Sequence, residues 1–332
     1  MSSASTDAVS GLLIVDKPQG ITSHDVVSRT RRLAHTRRVG HAGTLDPMAT
    51  GVLVLGINKA TRLLTWITDH SKRYEAQVRF GVETTTEDAE GEVTSTKGCE
   101  GLGNEEIEAV LSRFRGTISQ VPSAVSAIKV NGKRAYARVR AGEDVKLEPR
   151  EVEISLLEAQ GQPRSHRVEY ALEGKSAHVN CVDLNLVVEC SAGTYIRALA
   201  RDLGNALGCG AHLTSLRRTR VGEFSIDCAH TLQSLDEAAA QSGGEAPLPL
   251  TSLSDAAREM FPCLLLSEAE AGAFSHGQAP RREAGEVLRF VEEHFPGAQP
   301  GEFGPIAACR VDGEVLGLLK IIDNRFATVL VF

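Results

Sequence analysis

Two amphipathic helices separated by a run of strand-like segments limit what this chain can fold into. Apolar residues recur three or four positions apart in two places, at Ile107, Val110, Leu111 and Phe114 and again at Ile196, Leu199, Ala200, Leu203 and Leu207. Between these helices, strand-like segments near 150–158, 167–173 and 179–190 follow one another. No βαβ repeat is evident, so the strands are expected to pair mostly antiparallel. The pattern predicts an α+β or mixed α/β fold with a mixed, mostly antiparallel sheet.

The chain is long enough to form more than one core. It has 332 residues, and single cores stop growing at roughly 250–300 residues. A buried strand at 11–15 opens a first unit, which we place at 11–230. Residues 231–260 are rich in Ala, Ser, Gly and Pro and predict a helix and a linker. Residues 261–332 predict a small β-rich C-terminal module.

The cysteines and the amino terminus favour a cytoplasmic protein. The first ten residues are small and polar, without the basic and apolar regions of a secretory signal. No apolar run is long enough to span a bilayer, so no membrane partner is expected. The seven cysteines are scattered and form no CxxC pair, so neither a zinc site nor a disulfide framework is indicated.

Charge is unevenly distributed along the chain. The net charge is −7, but residues 1–80 carry 11 Lys and Arg against 6 Asp and Glu. Residues 221–332 carry 7 against 17. Five arginines lie between residues 29 and 38, at the end of a predicted helix, which favours a phosphate-facing patch. The alternatives are a complement to the helix dipole and charge drift without function.

The stretch GHAGTLDPMATGVLVLG, residues 40–56, places one carboxylate, Asp46, in a glycine-containing loop. A proline after Asp46 holds it out of a helix. Such a carboxylate can act as a nucleophile, a general base or a metal ligand, or it can simply form an Asx turn. No second carboxylate or suitable histidine lies nearby, and the common nucleotide-binding glycine motifs are absent. We therefore expect neither a metal nor a cofactor.

Four stretches in order resemble the TruB-type tRNA pseudouridine synthases. They are VDKPQGITS (15–23), GHAGTLDPMATGVL (40–53), SKRYEA (71–76) and GTYIRALARDLG (193–204). The resemblance covers residues 11–225 and implies a catalytic domain of the pseudouridine-synthase type. It also implies the reaction: uridine 55 in the T arm of tRNA is detached at N1 and rejoined through C5, without a cofactor.

The resemblance assigns three catalytic residues. Asp46 is the catalytic carboxylate, and it attacks C1′ or helps to deprotonate the sugar. Arg197 pairs with Asp46 and favours its ionised form. Tyr74 stacks on the flipped base and is a candidate for proton removal from C5. The alternative for Tyr74 is an aromatic residue on a strand surface.

The resemblance also implies substrate-binding residues. His41 matches a histidine that stacks in place of the extruded nucleotide, although a loop histidine bonded to backbone is the alternative. Tyr195 matches a pocket-lining position, and Lys17 matches a motif that supports the catalytic loop. A basic segment at about 122–145, with an Asn-Gly hairpin turn, resembles the RNA-gripping insertion of the family. Its candidates for phosphate contact are Lys129, Lys133 and Arg134.

Three partner expectations follow from the resemblance. The substrate is the T stem-loop of tRNA, the protein is a monomer, and no guide RNA is needed because the basic insertion suits stand-alone tRNA binding. Residues 261–332 resemble a PUA domain in FSHGQAP (274–280), but their acidic balance makes them a poor phosphate binder. An alternative function is a tRNA-folding chaperone in which catalysis is secondary.

Overall fold

The computed structural model places the chain around two β-sheets. It describes residues 9–123, 129–130, 133–134, 147–172, 175–242, 247–297 and 301–332. The α-helices are α1 Ser23–Leu33, α2 Leu64–Asp69, α3 Asn104–Leu111, α4 Ile196–Ala206, α5 Leu232–Gln241, α6 Leu253–Met260, α7 Glu268–Ser275 and α8 Ala284–His294. No helix in this described part is both long enough and apolar enough to cross a membrane.

The strands run from the amino terminus to the last residues. They are β1 Gly11–Lys17, β2 Val39–Ala42, β3 Thr50–Ile57, β4 Lys72–Phe80, β5 Glu83–Thr84, β6 Val93–Ser95, β7 Gly116–Gln120, β8 Lys129–Val130, β9 Lys133–Arg134, β10 Arg150–Leu172, β11 Lys175–Cys190, β12 Ala211–Val221, β13 Phe224–Ser225, β14 His230–Thr231, β15 Thr251–Ser252, β16 Cys263–Leu265, β17 Phe303–Cys309, β18 Val315–Ile322 and β19 Arg325–Val331.

The large sheet confirms the predicted mixed, mostly antiparallel α+β fold. Its main order is β14-β1-β3-β12-β4-β11-β10-β7, and β2, β13 and β15 pair along it. Only the β1–β14 and β3–β12 pairs are parallel among those described for this sheet. The central strand β4 lies between β12 and β11, so both of its backbone edges are paired.

Strand β1 separates two apolar cores. Leu13 and Val15 point into a core shared with α1 and α4, whereas Leu12 and Ile14 point into a second core. This alternation follows from the two-residue period of a strand, and it is possible because all four residues are buried. The second core includes Leu318 of the C-terminal sheet, so that sheet packs against the face of β1 opposite to α1.

The C-terminal module is confirmed as a small β-sheet unit, with more helix than expected. Its strands are ordered β16-β17-β18-β19, and β18 forms antiparallel pairs with both neighbours. Helices α7 and α8 pack against it, and the sequence analysis did not predict either. Residues 231–260 contain β14 and β15 in addition to helices, and both strands pair with β1. The domain boundaries themselves stay a prediction.

Two local predictions differ from the structure. The strands expected at 150–158 and 167–173 are one strand, β10, because the register shifts between Gln160 and Arg164 and lets pairing with β11 continue. Gly161 lies in this irregular stretch with φ of 77°, a conformation that glycine adopts readily. The predicted turn at 131–132 and most of the basic insertion lie outside the described residues. β8 and β9 flank that turn and pair antiparallel.

Candidate active site

The loop between β2 and β3 holds Asp46 at the mouth of a cavity. Ser23, the first residue of α1, holds the loop in place. Its hydroxyl accepts a hydrogen bond from Leu45 N–H at 2.8 Å and donates one to Leu45 O at 3.0 Å. Ala49 N–H donates to the backbone oxygen of Asp46 at 3.1 Å. The turn is therefore closed by backbone atoms, and the Asp46 carboxylate makes its ion pair with another element.

Lys17 supports the same loop. It is fully buried, and its ammonium donates to the carbonyl oxygens of Pro18, Ile21 and Pro47 at 2.9, 2.8 and 3.3 Å. Burial lowers the pKa of Lys17 to about 8, although the nearby Asp46 carboxylate opposes that shift. These contacts tie Lys17 to the loop backbone, and its supporting role stays a prediction.

Arg197, in the first turn of α4, joins two carboxylates. Its Nε lies 2.9 Å from Asp46 Oδ2, and its Nη1 lies 3.6 Å from Asp88 Oδ2. Nη1 also donates to Thr86 O at 2.8 Å. The Arg197 side chain is 5% exposed and that of Asp46 is 39% exposed, so the arginine is embedded while the carboxylate faces the cavity. This arrangement holds the Asp46 carboxylate in one orientation toward the cavity.

The amino end of α4 is positioned by the Gln120 side chain. The Gln120 side chain accepts from Tyr195 N–H at 2.9 Å and donates to Tyr195 O at 3.1 Å. The Thr194 hydroxyl donates to Ser191 O. Gln120 ends β7, immediately before the basic insertion, so the start of α4 is tied to the base of that insertion.

Tyr74 lies on β4 opposite Arg218 of β12. It is 8% exposed and lines the cavity with its remaining surface. Burial raises the pKa of the Tyr74 hydroxyl, and the Arg218 cation opposes part of that shift. The structure thus brings Tyr74, Asp46 and Arg197 to one cavity from three distant parts of the chain.

The cavity has a volume of about 510 Å³, enough for a nucleoside-sized ligand. It is lined by Gly43, Thr44, Leu45, Asp46, Thr68, Asp69, Lys72, Tyr74, Ser191, Ala192, Gly193, Thr194, Tyr195, Ile196, Arg197, Leu216 and Arg218. Tyr195 lies where the sequence predicted it, at the wall. No group of three metal-ligating side chains is found among the described residues.

His41 lies beside the cavity and does not form part of its wall. It is on β2, and its ring meets that of His24 edge to face with centroids 5.9 Å apart. Burial lowers the pKa of His41, so its ring is mostly neutral near pH 7. Lys129 pairs with Arg134, and Val130 with Lys133, in the β8–β9 ladder.

Lys72 and Arg218 are cavity residues that the sequence analysis missed. Lys72 comes two residues before Tyr74, and side chains two apart in a strand lie on the same face. The strand predicted around Tyr74 would therefore have been sufficient to place Lys72 beside it. Arg218 stands among three arginines in β12, and nothing in their spacing distinguishes it from Arg217 or Arg220.

Comparison with known proteins gives consistent matches over the whole chain. A family model described as TruB family pseudouridylate synthase (N terminal domain) matches residues 31–196, and one described as tRNA pseudouridylate synthase B C-terminal domain matches residues 197–253. A relative from Arthrobacter sp. (strain FB24) named tRNA pseudouridine synthase B is 51% identical over 325 residues, which cover 98% of this chain and 97% of that relative. A relative of the same name from Mycobacterium tuberculosis (strain ATCC 25618 / H37Rv) is 45% identical over 321 residues, with 97% and 95% covered.

A solved structure shares the fold. It is described as the crystal structure of a Cbf5-Nop10-Gar1 complex, and it superposes with a TM-score of 0.67 at 24% identity, covering 97% of this chain and 84% of that one. At this identity the likeness concerns the fold alone.

Proposed function

Because the chain belongs to the TruB family of pseudouridylate synthases, we propose that it acts on tRNA and converts uridine 55 of the T loop to pseudouridine. As a member of this family, the protein is an isomerase. The two curated relatives described above carry tRNA in their names, and the four motifs of this chain resemble the tRNA-specific members.

The observation that carries the proposal is the Asp46–Arg197 pair beside Tyr74 in one cavity. Asp46 faces the cavity as a carboxylate oriented by Arg197, which suits either attack on C1′ or deprotonation of the sugar. Tyr74 stacks on the flipped uracil and takes part in proton removal from C5. The uracil must leave the stack to reach these groups, at a cost of a few kcal/mol.

Binding of the T stem-loop uses surfaces around this cavity. His41 lies next to the catalytic loop and fills the space left by the flipped nucleotide, since a planar ring can stack there. Lys129, Lys133 and Arg134 of the insertion contact phosphates, which makes binding salt-dependent. The protein acts as a cytoplasmic monomer without a guide RNA.

A tritium-release assay tests the reaction. An unmodified tRNA transcript labelled at C5 of uridine is incubated with the protein alone, and release of tritium to water is measured. We expect release by the wild type and a loss of at least about 10³-fold in Asp46→Asn, with tRNA binding retained. Asp312→Asn removes an exposed carboxylate of the C-terminal module and should release tritium at the wild-type rate.

The same assay separates the alternatives. Binding and refolding of tRNA without any tritium release by the wild type would favour the chaperone function. Release that requires an added guide RNA would contradict stand-alone action. Normal turnover by Asp46→Asn would remove Asp46 from the mechanism.

A further inference from the structure

Two buried cations of the cavity have no carboxylate partner in the described part of the chain. Lys72 is 6% exposed and Arg218 is 1% exposed, yet both line the cavity that Asp46 and Tyr74 line. They approach it from adjacent strands, Lys72 on β4 and Arg218 on β12, whereas Arg197 comes from α4.

Lys72 donates to backbone carbonyl oxygens, and Arg218 does so too while also hydrogen-bonding the Tyr74 hydroxyl. The Lys72 ammonium donates to Thr68 O and His70 O. The Arg218 guanidinium donates to Val52 O at 2.8 Å and to Gly43 O at 3.1 Å. Such bonds fix the direction of each side chain but do not pair its charge with a carboxylate. The Asp69 carboxylate, which lines the same cavity, only partly opposes the effect of burial on the pKa of Lys72. A charge buried in this way is costly unless an opposite charge comes to it.

Arg197 shows the contrasting case in the same cavity. It is as deeply buried, but it lies between the carboxylates of Asp46 and Asp88. The charge of Arg197 is therefore paired with carboxylates of the protein. Lys72 and Arg218 have no such ion pair among the described residues, so an anion bound in the cavity could pair with them.

Tyr74, which pairs with Arg218 across β4 and β12, does not supply that anion. Burial raises the pKa of the Tyr74 hydroxyl, so Tyr74 is neutral near pH 7. The negative charge must come with the substrate. Because both cations are more than nine-tenths buried, they can meet a group that enters the cavity, such as a flipped base, more readily than a phosphate at its rim.

We propose that Lys72 and Arg218 form an anion site for the uracil ring while it is detached from the ribose. This inference rests on the proposed function. When the C1′–N1 bond breaks, its electron pair stays on the uracil, and the charge spreads over N1 and the two carbonyl oxygens. The ring then turns, C5 bonds to C1′, the C5 proton leaves to a base and N1 takes up a proton.

The proposal does not depend on how the sugar reacts. Whether Asp46 attacks C1′ or assists deprotonation of the sugar, the leaving uracil carries the same electron pair. Donors fixed in advance around a developing anion are among the strongest sources of rate enhancement, worth about 10²–10³-fold for one donor. The same contacts hold the detached uracil in the cavity until C5 bonds to C1′.

The test compares two transcripts in single-turnover assays. One carries uridine at the target position and the other 5-fluorouridine, whose electron-withdrawing fluorine stabilises the uracil anion by itself. Loss of the starting nucleoside is measured after nuclease digestion. We expect Lys72→Met to slow the loss of uridine by about 10²–10³-fold, and the defect with 5-fluorouridine to be about tenfold smaller. Lys72→Arg, which keeps the charge, should recover most of the rate.

Controls separate this role from a structural one. Lys59→Met removes an exposed lysine and should leave both rates unchanged. Lys72→Gln keeps an N–H donor without the charge, and it decides the outcome if Lys72→Met does not fold. Equal defects on the two transcripts, or full recovery in Lys72→Gln, would overturn the anion site.

Asp46→Asn, assayed in parallel, tells the two proposals apart. An inactive Asp46→Asn beside a fully active Lys72→Met overturns the anion site and leaves the proposed function standing. A fully active Asp46→Asn overturns the catalytic assignment of the proposed function instead.

Discussion

The catalytic cavity and the C-terminal module differ in what they bury. Among the described residues, the buried polar and charged side chains all precede residue 219, and four of them, Lys72, Asp88, Arg197 and Arg218, lie in or next to the cavity. The C-terminal sheet buries apolar side chains such as Phe274 and Leu319. Its ion pairs, including Arg282 with Glu270, lie partly in solvent.

The difference indicates that the residues around the cavity serve the reaction, whereas the buried residues of the C-terminal module serve stability. Burying a charge generally lowers stability relative to an apolar residue of similar size. Four charged side chains are buried in or next to the cavity, whereas none is buried in the described part of the C-terminal module. We therefore expect a substitution in the cavity to change the reaction, and one in the module to change stability alone.

The largest expected effect is that of Arg197→Met. It leaves Asp46 without its orienting partner and Asp88, which is 4% exposed, as a buried carboxylate without its cation. We expect a loss of about 3–5 kcal/mol in unfolding free energy and a rate at least about 10³-fold lower. Denaturant melts and single-turnover assays measure the two effects.

The matched control for Arg197→Met is Arg282→Met in the C-terminal module. Arg282 and Glu270 are 27% and 20% exposed, so their ion pair should contribute at most about 1 kcal/mol. The rate should not change. A large loss of stability in Arg282→Met would contradict the contrast between the two regions.

A smaller effect, on stability alone, is expected for Leu318→Ala. Leu318 is fully buried in the core between the C-terminal sheet and β1. Its truncation should lower the unfolding free energy by about 2–5 kcal/mol, while the rate of the folded protein stays at the wild-type value. Ile322→Ala, at an exposed position of the same strand, should change stability by less than about 0.5 kcal/mol. A slower reaction in folded Leu318→Ala would show that the module shapes the cavity.

The sequence predicted the fold class and the residues that meet at the cavity, but by different means. The alternation of apolar and polar residues in strands and their three-to-four-residue spacing in helices were sufficient to predict an α+β fold, because each element buries one face. Asp46, Tyr74 and Arg197 are far apart in sequence, so spacing could not bring them together. The motif resemblance did so, and the geometry places them in one cavity, although their catalytic roles remain proposals.

What the sequence could not predict depends on pairing register and on distant contacts. Whether Arg217 or Arg218 points into the cavity depends on register shifts in β12 near Leu213 and Arg218, and no local pattern encodes them. The start of α4 is held by Gln120 of β7, a residue 75 positions earlier in the chain, so local spacing does not indicate the contact. Both cases are tertiary contacts overriding a local preference.

The smallest expected effect is a pH dependence of the rate that tests the role of Lys72. Burial lowers the pKa of Lys72 to about 8, since Arg218 adds to that shift and Cys190 and Asp69 only partly oppose it. The charged form stabilises the uracil anion, so the single-turnover rate should be full below that pH and fall about tenfold per unit above it. Burial raises the pKa of the Cys190 thiol to about 11, so Cys190 does not titrate in this range.

Lys17 also has a pKa lowered to about 8 by burial, and Lys72→Arg distinguishes the two lysines. An arginine stays charged up to far higher pH. If Lys72 causes the fall in rate, the fall should move upward by more than one pH unit in Lys72→Arg. If the rate of Lys72→Arg still falls near pH 8, the titrating group is Lys17. The loss of rate would then come from a change in the loop that holds Asp46.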